Sequence, residues 1–148
     1  MSTVLVEFDA DRLEELIAMW RASFEDGVGV RDPHPIEAQE LYFLTQVLPH
    51  NVVRMALLDG QLVGFVAASR ERLAQLYVRV GYQRRGIGRQ MLEWAKAQSG
   101  GSLSLFTFAR NKVARRFYER EGFSIAAYGF EPTWELEDIT YEWRRDPL

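Results

Sequence analysis

The sequence contains no cysteine and only two histidines, His34 and His50. The absence of cysteine excludes disulfides, thiolate metal ligands and a covalent cysteine nucleophile. With two histidines, a metal site built from imidazole ligands is not expected, so we expect no metal cofactor. Any covalent thioester chemistry must therefore be supplied by a cofactor.

Long apolar runs are also absent. No run reaches the length of a membrane span, and Val4 to Phe8 alternates in polarity where a secretory signal would be basic and then hydrophobic. We therefore expect a soluble cytoplasmic protein with no membrane partner. The 148 residues are 47% hydrophobic, which is enough to bury a sizeable core. A single domain over residues 1–148 is the simplest interpretation.

Positive charge is concentrated in one stretch of the chain. Residues 72–92 include five arginines and no acidic residue, whereas the whole chain has a net charge of −3. Since this stretch contributes +5 to the total of −3, the remainder carries −8. A nucleic-acid-binding chain usually spreads Lys and Arg widely and is basic overall. We expect a small polyanion as ligand and no nucleic-acid partner.

Hydrophobic periodicity and turn residues divide the chain into strands and helices. Helices are predicted from about 12 to the glycines at 27 and 29, and over 36–48, 86–98 and 112–121. Strands are predicted over 3–8, 52–58, 61–68, 73–80, 103–108, 123–130 and 139–143. Asp9 or Asp11 can cap the first helix, and Asp11 and Glu14 have the spacing of a capping box. Asp59-Gly60 is a strong signal for a two-residue hairpin turn.

The order of these elements predicts the fold class. A helix separates strand 73–80 from strand 103–108, so this pair should be parallel and joined by a right-handed crossover. Strands 52–58, 61–68 and 73–80 follow one another without an intervening helix and should form an antiparallel meander. We expect an α/β fold of the α+β type, with a mixed, mostly antiparallel sheet of about six to seven strands flanked by about four helices.

The stretch from Leu73 to Met91 passes from an apolar strand through a basic turn into an amphipathic helix. Gly86 and Gly88 would let an anion approach the backbone, and the free N–H groups of a helix start attract negative charge. No Gly-Lys-Ser/Thr occurs here, and the third glycine of a dinucleotide fingerprint is missing. On glycine spacing alone, an ordinary strand-to-helix turn with solvated arginines is the alternative.

Two motifs in this order resemble the GNAT superfamily of N-acetyltransferases. The segment Gln83-Arg-Arg-Gly-Ile-Gly88, after Leu76-Tyr-Val78, is similar to the acetyl-CoA motif Gln/Arg-x-x-Gly-x-Gly/Ala that follows a Val-bearing strand. The segment from Asn111 to Phe123 is similar to the second signature of the family. It has Ala114, Phe117, Tyr118 and Gly122 at the matching positions. The resemblance covers roughly residues 52–130 and implies a GNAT-like fold that uses acetyl-CoA.

The resemblance implies a cofactor site built largely from backbone atoms. The residues that would hold the CoA pyrophosphate are Gln83, Arg84, Arg85, Gly86, Ile87, Gly88 and Arg89. Leu76, Val78 and Val80 would pair with the peptide-like pantetheine arm as an added strand. The N–H near Val78 would stabilise the oxyanion of the thioester carbonyl, which needs a splayed or bulged strand. Asn111 would cap its helix and reach the cofactor arm.

Tyr118 is the side chain that the resemblance marks for catalysis. It lies four residues after Ala114, on the helical face turned toward the sheet. A phenol there can donate a proton to the departing CoA thiolate, and it would also contact the cofactor. The alternative is that Phe117-Tyr118 is core aromatic packing with a hydrogen-bonded hydroxyl.

The base that deprotonates the acceptor amine is not identified by the sequence. Many family members have a glutamate shortly before the position of Val78, but this chain has Ala74-Gln75 there, and glutamine cannot accept the proton. His34 in the Pro-His-Pro loop has suitable chemistry, although an exposed turn residue is the alternative. His50, beside a proline at a helix end, is interpreted as structural. A water chain to an acidic residue is also open.

The acceptor side is described by charge and aromatic residues. The segment from Glu131 to Glu142 has five acidic residues and no base, which would attract a cationic amine or simply be solvated. Four aromatic residues of the first two helices would wall an acceptor slot if these helices lie across it, or else belong to the core. They are Trp20, Phe24, Tyr42 and Phe43.

The resemblance implies direct transfer of the acetyl group of acetyl-CoA to a primary amine of a small molecule or peptide. The alternative from another class is a non-catalytic acyl-CoA-binding or regulatory module of the same fold, in which the missing glutamate marks lost catalysis. Preference for a longer acyl-CoA is open. Relatives often dimerise and the last strand offers an edge for pairing, so a homodimer is an alternative to a monomer.

Overall fold

The computed structural model describes residues 2–146, and these contain seven strands and four α-helices. The strands are β1 (Val4–Glu7), β2 (Val52–Leu58), β3 (Gln61–Ala68), β4 (Leu73–Val78), β5 (Ser102–Phe108), β6 (Ser124–Glu131) and β7 (Leu136–Arg144). The helices are α1 (Leu13–Val28), α2 (Ile36–Tyr42), α3 (Ile87–Gln98) and α4 (Lys112–Arg120). Within the described residues, no helix is both long enough and apolar enough to span a membrane.

The strands form two antiparallel sheets that separate between β4 and β5. The first sheet has the order β1-β2-β3-β4, and the second has the order β5-β7-β6. A single parallel bridge, Arg72 to Ser104, connects them, and there the Ser104 amide donates to the Glu71 carbonyl at 3.0 Å. The predicted mixed, mostly antiparallel α/β fold with a parallel β4–β5 neighbourhood is confirmed. Beyond the bridge, the two strands diverge and leave a cleft.

Side chains are buried on both faces of the first sheet. On one face, Trp20 of α1 and Phe43, in the π-helical turn Phe43–Val47 that continues α2, pack against Phe65 of β3. On the other face, Met91 of α3 belongs to a second buried cluster that also includes Tyr141 of β7. Every residue of β3 from 62 to 68 is buried, so this strand is central to both clusters. Burying one large apolar side chain contributes about 1.5–3 kcal/mol.

The start of α1 differs from the predicted capping box. A 3₁₀ turn, Ala10–Arg12, precedes the helix, and the Asp9 carboxylate caps this turn by accepting the Asp11 amide at 2.9 Å. Arg12 occupies the N-cap of α1 and makes no side-chain cap bond. Of the two predicted caps, Asp9 therefore caps the start of the helical path, and the capping box of Asp11 and Glu14 was wrong, because the chain begins that path one turn earlier with a tighter hydrogen-bond pattern.

Among the other boundaries that differ from their predictions are the ends of α1 and β4. Helix α1 continues through Gly27 to Val28 and ends at Gly29, whose φ is 78°. Strand β4 ends at Val78, so Val80 lies beyond it and is 45% exposed. The strand is shorter than its apolar run because residues 79–85 already follow the path of the turn into α3. By contrast, the hairpin turn at Asp59-Gly60 is confirmed, with both residues at positive φ.

Candidate functional site

The loop between β4 and α3 presents backbone N–H groups that have no partner in the described residues. The amides from Gln83 to Arg89 donate to no protein acceptor within residues 2–146, and the first helical bond runs from the Gln90 amide to the Gly86 carbonyl at 3.0 Å. Arg84 and Gly86 have positive φ values of 66° and 83°. Successive N–H groups in such a turn form a concave anion-binding surface at the positive end of the helix dipole.

The two glycines of this loop differ in whether the structure requires glycine. A Cβ on Gly86 would meet no atom within 4 Å, so the backbone conformation, with φ at 83°, favours glycine there. A Cβ on Gly88 would lie 3.4 Å from Phe117 Cζ and 3.6 Å from Val78 Cγ2. These are ordinary van der Waals distances, so alanine would also fit at position 88.

Two arginines of the basic stretch already have protein partners. Arg79 donates its backbone N–H to Val63 and its Nε to the Leu62 carbonyl, both at 2.7 Å. Arg89 Nε lies 3.4 Å from Glu121 Oε1. Arg79 therefore holds the end of β4 against β3, and Arg89 connects α3 with the end of α4. Both arginines therefore stabilise the elements that flank the loop.

Arg84 and Arg85 are the exposed cations of the loop itself. The Arg85 guanidinium lies 4.9 Å from the centroid of the Tyr82 ring, and the Tyr82 hydroxyl donates to Gln61 Oε1 at 2.9 Å. A guanidinium over an aromatic face is favourable and remains accessible to an anion. The loop thus combines free amides with two solvent-facing positive charges.

The cleft side of β4 also carries backbone N–H groups that have no protein acceptor within residues 2–146. Hydrogen-bonding direction alternates along an antiparallel strand, and the Arg79 amide bonds to Val63 of β3, so Leu76 and Val78 direct their backbone groups toward β5. The Val78 carbonyl accepts a hydrogen bond from Ser23 Oγ at 2.8 Å. Because β4 and β5 separate beyond the bridge at Arg72, the splayed strand that the predicted oxyanion role of the Val78 amide requires is present. The strand also has an irregular register at Ala74, which has no partner in β3.

Tyr118 lies on α4 with its ring in the core and its hydroxyl at the cleft. The side chain is 7% exposed, and its ring packs against Phe123 and Tyr141 at centroid distances of 5.6 and 6.4 Å. The hydroxyl makes no protein hydrogen bond within residues 2–146. Within these residues, every fully buried side-chain polar atom has a hydrogen-bond partner. Since the Tyr118 hydroxyl has none, it is not fully buried and lies at the cleft. Burial raises the pKa of Tyr118 well above its usual range, which keeps the phenol protonated.

Asn111 connects α4 with α1. Its Oδ1 accepts the Ala114 amide at 3.2 Å, which confirms the predicted N-cap. Its Nδ2 lies only 2.8 Å from where a Cβ on Gly27 would stand. Gly27 was predicted to break α1, but it is instead the point at which α1 admits the Asn111 amide. A glycine inside an amphipathic helical pattern was the only available signal for this close approach.

Two adjoining cavities open where the sheets separate. The smaller is about 80 Å³ and lies between β4 and β5; its lining includes Leu73, Ala74, Gln75, Leu76, Leu105, Ala114 and Tyr118. The larger is about 300 Å³ and lies between α1 and the second sheet; its lining includes Phe24, Val28, Phe108, Glu131 and Asp138. Both are also lined by Tyr77, Phe106, Thr107 and Asn111, so the two cavities meet there.

The larger cavity uses few of the aromatic residues selected from the sequence. Phe24 lines it, whereas Trp20 and Phe43 are buried in the core and Tyr42 is half exposed. Phe108 completes the aromatic lining, and sequence reasoning missed its role because its strand approaches Phe24 only in the folded chain. The ring centroids of Phe24 and Phe108 are 6.0 Å apart.

His34 is not among the residues that line the larger cavity. Its Nδ1 is 2.8 Å from Asp32 Oδ1, and its ring is 5.4 Å from the Trp134 ring. Trp134 in turn packs against Phe24 at 5.0 Å. His34 is thus separated from the cavity by a tryptophan. His50 is exposed in the 3₁₀ turn Leu48–His50.

Comparison with known proteins identifies the family. Residues 49–125, more than half of the chain, match the family model described as an acetyltransferase (GNAT) domain. The chain belongs to the GNAT acetyltransferase family. The loop before α3 and the start of α4, where the two sequence motifs lie, both fall within the matched region.

Individual relatives agree with this family. Peptidyl-lysine N-acetyltransferase YiaC of Escherichia coli K12 is 34% identical over 82 residues, which cover 51% of this chain and 56% of that protein. The match therefore spans little more than half the length of this curated relative. The apo form of YjaB from Escherichia coli has a TM-score of 0.80 at 19% identity, over 99% of this chain and 100% of that chain.

A relative solved with a ligand has the same fold. PaiA N-acetyltransferase of Thermoplasma acidophilum, in complex with coenzyme A, has a TM-score of 0.75 at 21% identity, over 97% of this chain and 99% of that chain. At such identities the likeness shows the fold alone. The chemistry of this chain has to be argued from its own residues.

Proposed function

We propose that this chain is an N-acetyltransferase that transfers the acetyl group of acetyl-CoA directly to a primary amine of a small molecule or peptide. The observation that carries the proposal is the meeting of two cavities at Tyr77, Phe106, Thr107 and Asn111. One cavity borders the free edge of β4, and the other contains two carboxylates. Two substrates can therefore meet at one point, as a transfer reaction requires.

The described residues fit acetyl-CoA. The free amides from Gln83 to Arg89, with the exposed guanidinium groups of Arg84 and Arg85, suit a pyrophosphate. The cleft-facing backbone of Leu76 and Val78 suits a peptide-like arm that pairs as an added strand. When bound, acetyl-CoA supplies the acetyl group as an activated thioester. A contact from Val80 remains a prediction, since this residue lies beyond β4.

Two groups of the protein have the chemistry to assist the transfer. The Val78 amide points into the cleft and would donate a hydrogen bond to the oxygen on which negative charge develops, an effect of about 3–4 kcal/mol in a dry site. The Tyr118 hydroxyl, kept protonated by burial, would donate its proton to the departing thiolate. Asn111 lines both cavities and would contact the cofactor arm while it caps α4.

The nature of the acceptor is supported by a relative and by the cavity. YiaC is named a peptidyl-lysine N-acetyltransferase, which favours an alkylamine of the lysine type for this chain too. The larger cavity, about 300 Å³ in volume, would admit such a side chain. We therefore place the acceptor amine in this cavity.

A non-catalytic acyl-CoA-binding module is the second candidate. It is favoured by one observation, namely that Ala74 and Gln75 line the smaller cavity where many family members have a glutamate. Acetyl transfer needs a neutral amine, and no residue is assigned as the base that would deprotonate it. Under this alternative, the protein would bind acetyl-CoA without transferring its acetyl group.

The experiment that separates the two candidates measures free thiol release from acetyl-CoA with a panel of amines, alongside calorimetric binding of acetyl-CoA. The panel should include a lysine peptide, free lysine, a diamine and an arylamine. Acceptor-dependent thiol release, with the acetylated amine confirmed by mass spectrometry, supports the acetyltransferase. Tight cofactor binding without thiol release for any amine would support the binding module.

A further inference from the structure

Asp138 is a charged residue without a partner in the larger cavity. It lies on β7, opposite Phe108 of β5 and Gly129 of β6, on the sheet face turned toward α1. Its carboxylate makes no hydrogen bond or ion pair within residues 2–146, and the side chain is only partly exposed. A carboxylate that is partly removed from water usually has a cationic or hydrogen-bonding partner.

The neighbouring strand is shaped around this carboxylate. A Cβ on Gly129 would lie 2.5 Å from Asp138 Oδ1, a distance that heavy atoms do not tolerate. Any larger residue at position 129 would therefore push the Asp138 side chain aside. Glycine at this position leaves the carboxylate free to lie across β6 in the cavity.

The surroundings of Asp138 favour a cation. Phe24 and Phe108 form aromatic walls, and Trp134 packs behind Phe24 at 5.0 Å. No lysine or arginine lines the cavity in the described part of the chain. Glu131, the second carboxylate, accepts the Trp134 amide at 2.7 Å and so holds the β6–β7 turn in place. Aromatic faces together with a carboxylate attract alkylammonium groups.

We propose that Asp138 is the specificity-determining residue of the acceptor site and selects cationic aliphatic amines by binding their ammonium group beside the cofactor cleft. This inference rests on the proposed acetyltransferase function. An alkylamine with a pKa near 10.4 is protonated at neutral pH, and most of it therefore reaches the cavity as a cation. Because Asp138 binds the charged form before the amine reacts, its contribution falls on acceptor binding and KM more than on kcat.

The test compares two acceptors of different charge in the Asp138→Asn variant. One acceptor is a blocked lysine amide, which is cationic at pH 7.5, and the other is an arylamine, which is neutral there. We expect KM for the lysine amide to rise about ten- to a hundredfold, as for loss of a charge-assisted hydrogen bond. We expect KM for the arylamine and for acetyl-CoA to stay within about twofold, since neither depends on the charge of Asp138.

Acceptor binding provides a readout that does not depend on turnover. Calorimetric titration of the lysine amide into protein saturated with CoA, which carries no acetyl group, should show the same loss of affinity in Asp138→Asn. Equal affinity of wild type and variant for the lysine amide would overturn the inference even if the protein proved to be catalytically silent. If the wild type is an active acetyltransferase and Asp138→Asn has the same KM for the lysine amide, this inference is overturned and the proposed function stands.

Two further variants separate position from charge. Glu137→Gln removes the same charge one residue away, at an exposed position on the opposite sheet face, and should change neither KM. Gly129→Ala keeps the carboxylate but displaces it, and should weaken binding of the lysine amide in the same direction as Asp138→Asn. If Glu137→Gln matched Asp138→Asn, the effect would belong to the general negative field and the assignment of Asp138 would be wrong. Circular dichroism checks that each variant is folded.

Discussion

Tyr118 combines two properties that a proton donor in this cleft needs. Its ring is fixed among Phe117, Phe123 and Tyr141, and its hydroxyl faces the cleft without a protein partner within residues 2–146. Burial raises its pKa, so the proton stays on the phenol at every pH at which the protein is expected to work. Since a thiol is ordinarily more acidic than a phenol, with a pKa of about 8.5, the hydroxyl would first stabilise the forming thiolate by donating a hydrogen bond, and it would transfer the proton as the same desolvated cleft raises the basicity of the sulfur.

We expect Tyr118→Phe to bind acetyl-CoA normally and to lower turnover by about a hundredfold, because only the proposed proton donor is removed. Steady-state thiol release and calorimetric acetyl-CoA binding are the measurements. Tyr141→Phe is the matched control, since this neighbouring hydroxyl donates to Glu119 Oε2 at 2.6 Å and lies outside the cavity linings. Full turnover in Tyr118→Phe would remove this residue from the mechanism.

The buried phenols also make stability sensitive to alkaline pH. Burial raises the pKa of Tyr77 to about 12 and that of Tyr118 further, whereas both have ordinary values near 10 in the unfolded chain. Below pH 10 both phenols are protonated in the folded and in the unfolded state, so their burial contributes fully to the free energy of unfolding. Above it, only the unfolded state ionises, so the free energy of unfolding should fall as pH rises from about 10 to 12.

Urea unfolding followed by circular dichroism at pH 8, 10 and 11 measures this decline. Tyr77→Phe should flatten it, and Tyr128→Phe, at a position that is 75% exposed, should leave it unchanged. A free energy of unfolding that stayed constant to pH 11 would contradict the role of the buried phenols.

At the scale of elements, the loop before α3 contains a left-handed glycine, Gly86. Gly86 has a φ of 83°, and Gly60 in the β2–β3 hairpin has a nearly equal φ of 80°; a Cβ would meet nothing within 4 Å at either. Gly86→Ala and Gly60→Ala should therefore each lower the free energy of unfolding by about 1 kcal/mol. Only Gly86→Ala should weaken CoA binding, by about tenfold or more, because it turns amides away from the anion.

Urea unfolding and CoA calorimetry on the two variants make the comparison. The Gly60 variant controls for the general effect of strain at a left-handed position. Equal CoA affinity in both variants would show that the shape of the loop is not what binds the phosphates.

Elements defined by local signals were predictable from the sequence. The Asp59-Gly60 turn and the Asn111 cap depend on contacts within a few residues, and both are present in the structure. Gly27 could not be interpreted correctly, because its reason is contact with Asn111, which is distant in sequence. The end of β4 was also misplaced, since the apolar run continues to Val80 whereas the strand ends at Val78, where the chain enters the turn that leads into α3.

The two sides of the candidate site also differed in how far they could be predicted from the sequence. Gln83 to Arg89 are contiguous, so a motif could mark the cofactor side before the fold was known. The larger cavity draws Phe24 from α1, Phe108 from β5 and Asp138 from β7, and no local pattern connects these residues. The acceptor side therefore became visible only once the two sheets were placed.

For the whole molecule, the meeting of the two cavities has a kinetic consequence. Cofactor and acceptor can occupy the protein together, and the chain has no cysteine to carry an acetyl group between them. We expect initial-velocity plots against both substrates to intersect, as for a ternary complex. Parallel lines would instead indicate a covalent acetyl-protein intermediate. The measurement needs only thiol release over a grid of the two concentrations.

The separation of β4 from β5 also makes the cosubstrate part of the folding equilibrium. The amides of Leu76 and Val78 face the cleft, whereas the Tyr77 amide faces β3. We expect hydrogen exchange at the first two to be fast in the free protein and slow with CoA, and exchange at Tyr77 to be slow in both. At a hundred times its Kd, such a ligand stabilises the folded state by about 2.7 kcal/mol. The sheet of the working protein would then be completed by a molecule that is not polypeptide.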